Sequence, residues 1–170
     1  LGKTTLEEYH SKSSSKWLPE YKVEYEVKRT VFEGVPLTGK IDKCEYMPDG
    51  GIRVIDYKTS KPNNSRLKEI LPEPPYQGTY RIQLYFYKVL LESFLANGSS
   101  VKFGEIDYTG HQKEEKTASH SVEFQQDELE IFQTLLVETY QKIKNLEFDE
   151  GCGDKKCTWC SFVKSKGVLF

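Results

Sequence analysis

The sequence predicts an α/β domain, a mixed sheet flanked by helices, and three observations carry that reading. Tyr21 to Phe32 and Val101 to Tyr108 alternate polar and apolar residues, the period of a strand, with a second strand, Leu37 to Tyr46, after the first. Tyr80 to Ala96 and Gln126 to Leu146 repeat apolar residues at helical spacing. The β-rich stretch Thr38 to Lys61 contains Pro48-Asp49-Gly50, a turn signal that folds it back on itself. At 170 residues the chain fits one domain with a sizeable core.

Thr5 to Trp17 reads as a short helix followed by a Ser-rich connection, Ser11 to Ser15, with His10 a solvated side chain. In the first strand Val23, Tyr25 and Val27 face one way, while Lys22, Glu24, Glu26 and Lys28 face the other. Gly34-Val35-Pro36 then turns the chain into the second strand.

The next turn fixes a register. Proline presets φ at the first turn position, and Gly50 takes the left-handed position that closes a three-residue loop. Met47 then faces Gly51, and stepping back along both strands sets Asp42 opposite Asp56. Such partners have Cβ atoms only ~5 Å apart, and like charges there are destabilising. A divalent cation is the usual reason for tolerating them. Lys58 shares the face of Asp56 because side chains alternate along a strand.

Two carboxylates and one amine at one spot suit metal-assisted hydrolysis. Hard oxygen ligands hold Mg²⁺ or Mn²⁺, and an amine can orient or deprotonate water and stabilise charge on a phosphate. The ordinary alternative is a surface hairpin with solvated charges. Val54-Ile55, apolar on both faces as in a central strand, weighs against it, because unpaired charge is costly there.

Lys61 to Gln77 is a loop by its Pro62, Asn63, Asn64, Pro72, Pro74 and Pro75. Lys61, Arg66 and Lys68 are candidates to grip DNA phosphates, balanced against a simple solvated loop. The helix that follows carries a stripe of Tyr80, Leu84, Tyr87, Leu91 and Phe94 and stops near Asn97-Gly98. Gln83 lies within that stripe, four residues before Tyr87 and on the same face. A polar residue at a core-facing position is the informative exception.

In the strand Val101 to Tyr108, Val101, Phe103 and Glu105 oppose Lys102 and Ile106. His111 to Ser119 reads as exposed loop, Ser121 to Phe124 as a short strand, and His111 and His120 receive no role. Leu129, Phe132, Leu136, Tyr140 and Ile143 form a stripe that core packing explains.

Cys152, Cys157 and Cys160 have metal-ligand spacing, although a closed structural site normally needs four ligands. Three readings fit: a zinc or iron–sulfur site completed elsewhere, a three-ligand remnant, or reduced packing cysteines. Cys44, two residues past Asp42, reads as packing beside that site.

The net charge of −2 argues against a wide basic DNA-binding surface and leaves room for a local basic channel. No run reaches the ~20 apolar residues of a membrane span, and no secretory signal opens the chain. The expectation is a cytoplasmic protein with reduced thiols. The first residue, Leu1 rather than Met, reads as the start of an excised piece.

Gly39-Lys40-Ile41-Asp42, Val54-Ile55-Asp56-Tyr57-Lys58-Thr59 and Gln83-x-x-x-Tyr87, in that order, resemble the RecB-type branch of the PD-(D/E)xK nucleases. The Gly78, Tyr80, Gln83, Tyr87, Lys88 pattern and the terminal Gly151-to-Phe162 pattern resemble the C-terminal nuclease-like domain of bacterial UvrD/Rep-type helicases. The resemblance implies a restriction-endonuclease-like sheet over residues 1–170, forming the C-terminal part of a longer helicase-nuclease. It further implies DNA as substrate, motor domains in the same polypeptide, and Mg²⁺ or Mn²⁺ held by Asp42, Asp56 and the Tyr57 backbone carbonyl. Lys58 would activate water, with Gln83 and Tyr87 bordering the site. The rival expectation is an inactive nuclease-like module that binds DNA or braces the motor, because the family's upstream histidine has no match at His10.

Overall fold

The computed structural model describes residues 2–73, 76–95, 98–110, 119–147, 151, 152, 154 and 156–166. Helix α1 (Gly2–Ser13) precedes strands β1 (Tyr21–Phe32), β2 (Val35–Tyr46) and β3 (Ile52–Lys58). Helix α2 (Thr79–Leu95) follows, then β4 (Val101–Tyr108), β5 (Ser119–Glu123), α3 (Gln126–Lys144) and the short α4 (Thr158–Ser165). The strands form one sheet in the order β1-β2-β3-β4-β5. The pairings are antiparallel except β3 with β4, which are parallel and joined through α2. A parallel pair needs such a crossover, and it brings the helix back onto the sheet.

The β2–β3 turn has the expected form. Gly50 adopts φ +82°, Met47 N–H donates to the Gly51 carbonyl at 2.8 Å, and Gly50 N–H donates to the Met47 carbonyl at 3.0 Å. The Asp49 side chain accepts from Gly51 N–H at 2.9 Å. The resulting register, Lys43 against Ile55 and Cys44 against Val54, is the one the turn predicts.

The core lies between the sheet and α2. Ile41, Cys44, Ile52, Val54, Leu84, Leu90, Leu91 and Ile106 are all buried there. Burial pushes the Cys44 thiol up to about 12, so this cysteine is a packing group. Gly104 permits the close approach of β4 to α2: a Cβ there would lie 3.0 Å from Leu84 and 3.1 Å from Phe124. Gly104→Val should therefore lower stability by ~1–3 kcal/mol through overpacking, read from the urea midpoint.

Several stripes end sooner than their patterns suggest. Val23 is 57% exposed because β1 is an edge strand, and its pairing with β2 slips at a bulge between Val27 and Thr30. Bulges and charge are common ways of blunting an edge. Phe94 is 41% exposed and pairs edge-to-face with Tyr25, and Ile143, in the last turn of α3, is half exposed. Neither belongs to the core. In β4, Ile106 is buried although Lys102 is exposed, because this central strand is covered on both faces and does not alternate cleanly. Of the expected helix end, Ala96 and Asn97 lie outside the described residues, as do Pro74, Pro75 and residues 111–118 with His111.

The other face of the sheet is polar. Lys43 Nζ lies 2.6 Å from Glu45 Oε1 and 4.3 Å from the Trp17 ring centre. Arg53 Nε donates to Glu45 Oε2 at 3.0 Å, and its Nη1 reaches Glu105 at 3.4 Å. Helix α1 docks beside this network: Tyr9 donates to Asp107 Oδ2 at 2.5 Å, and its ring meets Tyr57 edge-on. Burial pushes the carboxyls of Glu105 and Asp107 upward in spite of nearby cations.

Candidate active site

Continuing the hairpin pairing one step beyond Lys43 and Ile55 sets Asp42 against Asp56. Asp42 accepts from the Tyr57 backbone N–H at 2.9 Å, which ties its carboxylate to β3. Asp56 is only 2% exposed. Lys58 Nζ lies 2.5 Å from Asp56 Oδ2 and donates to Gln83 Oε1 at 3.0 Å.

Gln83 bridges the group. Its Nε2 donates to Asp56 Oδ1 at 2.7 Å and to the Tyr87 hydroxyl at 2.9 Å, while Tyr87 donates to Asp56 Oδ1 at 3.1 Å. The i,i+4 spacing on α2 makes this possible, since both side chains leave the same face and reach one carboxylate. Asp42, Asp56, Lys58, Gln83 and Tyr87, five residues from three elements, thus converge at one place.

The electrostatics are those of a crowded acidic pair. Burial, reinforced by the Asp42 charge, pushes the Asp56 carboxyl above its ordinary value and outweighs the attraction of Lys58. Burial and the Asp56 carboxylate push the Tyr87 hydroxyl upward too, so it remains a donor. Asp56 Oδ2 is held by the ion pair with Lys58. A buried carboxylate facing a second carboxylate fits a hard divalent cation, which takes oxygen ligands. Tyr57, next to Asp56 on β3, has its backbone N–H engaged by Asp42.

Tyr80 also reaches this site, although the sequence reading, which placed it in the apolar stripe and in the Gly78-to-Lys88 pattern, gave it no role there. Its ring lies 4.8 Å from Lys58 Nζ, and its hydroxyl accepts from Arg66 Nη1 at 2.9 Å with Ser60 Oγ 3.4 Å away. Those hydrogen bonds, Ser60 first, hold the Tyr80 hydroxyl below its ordinary pKa. The signal was available: Tyr80 is one helical turn before Gln83. Arg66 and Lys68 line a cavity of about 630 Å³ that Tyr80 and Gln83 also wall, whereas Lys61 is exposed and outside that lining. His10 is exposed and its ring meets Trp17 edge-on.

Helix α2 is held in place from behind. Glu128 on α3 is buried and accepts from Arg81 Nε at 2.6 Å, Tyr85 at 2.7 Å and Ile70 N–H at 2.9 Å. No spacing rule links Glu128 to Arg81, so sequence reasoning missed this brace.

The three C-terminal cysteines come together, their sulfurs all within 4.8 Å of one another. The backbone N–H of Cys160, foremost, holds the Cys157 thiol below its ordinary value. Three convergent thiols can bind a soft metal. No helix among the described residues is long and apolar enough to cross a membrane.

Comparison with known proteins adds three findings. The model of the PD-(D/E)XK nuclease superfamily matches residues 3–165. A solved structure from Eubacterium rectale, of a protein provisionally described as an exonuclease, superposes with a TM-score of 0.53 at 14% identity. The match covers 94% of this chain and 59% of that one, a likeness of fold. No curated protein matches the chain.

Proposed function

Because the chain belongs to the PD-(D/E)XK nuclease superfamily, we propose that it hydrolyses DNA phosphodiester bonds with a divalent metal at Asp42 and Asp56. The observation that carries this reading is the buried Asp56 carboxylate, shared by Lys58, Gln83 and Tyr87 and facing Asp42. Members of the superfamily typically use divalent cations, and Mg²⁺ or Mn²⁺ would polarise the scissile phosphate and its attacking water. Asp42, Asp56 and the Tyr57 carbonyl would hold the cation.

The other residues act by position. Lys58 orients water or takes its proton, and its charge offsets that developing on the phosphate. Gln83 fixes the lysine through its carbonyl and Asp56 through its amide, so both groups keep one geometry. Tyr87 donates to the same Asp56 oxygen and so orients that carboxylate. Water adds to phosphorus, the P–O bond to the leaving nucleotide breaks, and a proton passes to the departing oxygen.

Finer points of the reading are an exonuclease mode and a place beside helicase motor domains in a longer polypeptide. The three C-terminal thiols would serve zinc or an iron–sulfur cluster, with a further ligand from elsewhere.

A metal titration tests the reading. Mn²⁺ at about 100-fold over its Kd should raise Tm by roughly 5 °C or more, and Mn²⁺ or Mg²⁺ should switch on cleavage of labelled DNA that EDTA abolishes. Absence of both responses in pure protein identifies the rival, a module that binds DNA or braces a motor without cutting.

A further inference from the structure

We propose that Tyr80 is a positioning residue for Lys58: its ring holds the ammonium beside the Asp56 carboxylate and so sets where that charge acts on the scissile phosphate. The proposal rests on the nuclease reading for the step it serves, although not for its geometry.

Lys58 needs such a holder. It is the last residue of β3, and its amine sits at the end of a flexible four-carbon stem. Two acceptors reach Nζ, Asp56 Oδ2 at 2.5 Å and Gln83 Oε1 at 3.0 Å. An ammonium is a compact charge with rotatable donors, so two acceptors fix its distance from each and leave it free to swing about the line between them. The Tyr80 ring, its centre 4.8 Å from Nζ, closes that arc. An aromatic face attracts a cation through its quadrupole, more strongly where water is partly excluded. The Lys58 side chain is only 20% exposed. Core packing accounts for the burial of Tyr80, but not for a cation over its face.

The ring is itself held. Tyr80 lies in the first turn of α2, three residues before Gln83 and on the same side of the helix. Its hydroxyl accepts from Arg66 Nη1 at 2.9 Å with Ser60 Oγ 3.4 Å away, and the Arg66 guanidinium lies 5.1 Å from the ring centre. Ser60 and Arg66 both belong to the segment that follows β3, so the ring is tied to the chain just beyond the lysine it contacts. At the helix start, a Cβ on Gly78 would fall 2.0 Å from the Lys68 carbonyl oxygen, so α2 and that segment are in close contact there. Strand, segment and helix thus meet around one ring.

Two substitutions isolate the aromatic face. Tyr80→Phe and Tyr80→Leu both remove the hydroxyl, and only the first keeps the ring. With saturating Mn²⁺ and labelled DNA, kcat of Tyr80→Leu should fall ~5- to 30-fold below that of Tyr80→Phe, with KM and the Mn²⁺-induced rise in Tm alike in the two. Proton NMR of the metal-free protein gives a second readout, the methylene beside Lys58 Nζ, assigned by its loss in Lys58→Met. Ring current should place it upfield of ordinary lysines in the wild type and in Tyr80→Phe, and return it to the ordinary position in Tyr80→Leu. Equal kcat in the two variants, or a wild-type Lys58 signal at the ordinary position, overturns the proposal. The wild-type spectrum decides even where Tyr80→Leu fails to fold. A shifted Lys58 in protein that does not cut would remove the nuclease reading and leave the hold of the ring on the lysine standing. Cleavage with Lys58 unshifted would do the reverse.

Discussion

Asp56→Asn is expected to reduce metal-dependent DNA cleavage by ~10³-fold or more and to erase the Mn²⁺-induced rise in Tm. The loss of one ligand of a charge-stabilising cation is worth several kcal/mol in the transition state, and each 1.36 kcal/mol is tenfold in rate. The fold should survive. Gln83 and Tyr87 donate to Asp56 Oδ1, and an asparagine carbonyl can accept both hydrogen bonds. The pH dependence of the metal-free protein follows from the upward shift of this carboxyl, caused by burial and Asp42. Its folded value exceeds its unfolded value, so the proton-linked stabilisation is complete below the unfolded pKa and is lost as pH rises through the folded one. The variant should therefore gain on the wild type in EDTA as pH climbs out of the carboxylate range. Lys58→Met is the companion: cleavage should fall ~10²–10⁴-fold while the Mn²⁺ shift persists. Nuclease assays beside thermal melts decide both, and an Asp56→Asn protein that cuts normally would refute the assignment.

Glu128→Ala should produce the largest loss of stability. Three donors from α2 and the preceding loop end on this one buried carboxylate, Arg81 with two contacts to Nε, at 2.6 and 2.8 Å. Removing one partner strands a guanidinium that is mostly out of water, at a cost of ~3–5 kcal/mol. For a chain of this length that is roughly 10 °C in Tm. Burial alone would raise the Glu128 carboxyl, but hydrogen bonds from Arg81, Tyr85 and Ile70 outweigh it and hold the pKa down. A depressed carboxylate stabilises the fold above its unfolded pKa and loses that contribution as pH falls through the folded value. The wild type should thus show a steeper acid-side loss of Tm than the alanine variant. Combining Glu128→Ala with Arg81→Met should cost less than the sum of the single changes, because the two share one interaction. Strict additivity in urea melts would contradict the brace.

Helix α2 connects the two expectations. Gln83 and Tyr87 on one face meet Asp56, while Arg81 and Tyr85 meet Glu128. Alternating residues along one helix thus address the site and its support.

Local geometry made most of the candidate site legible in the sequence. A three-residue turn fixes the hairpin register, strand alternation places Lys58 with Asp56, and helical spacing places Gln83 with Tyr87. Each relation lies within one hairpin or one helix of regular backbone, and the structure has the register that the turn implied. The limits of the same patterns also have a physical cause. Periodicity reports which face a residue occupies but not how far the opposing layer extends, so Val23, Phe94 and Ile143 pointed to a core they do not enter.

What the sequence determined by itself is the acidic pair with its lysine, and the sharing of one helix face by Gln83 and Tyr87, because backbone repeats dictate neighbours within a hairpin or a helix; the seating of α2 is what brings the helical pair onto Asp56. Tertiary structure alone decided the Tyr9–Asp107 dock, the Glu128 brace and the cavity where Arg66 stacks on Tyr80. Those partners meet only because the strand order and the seating of α2 bring distant segments together, and no period in the chain encodes such docking.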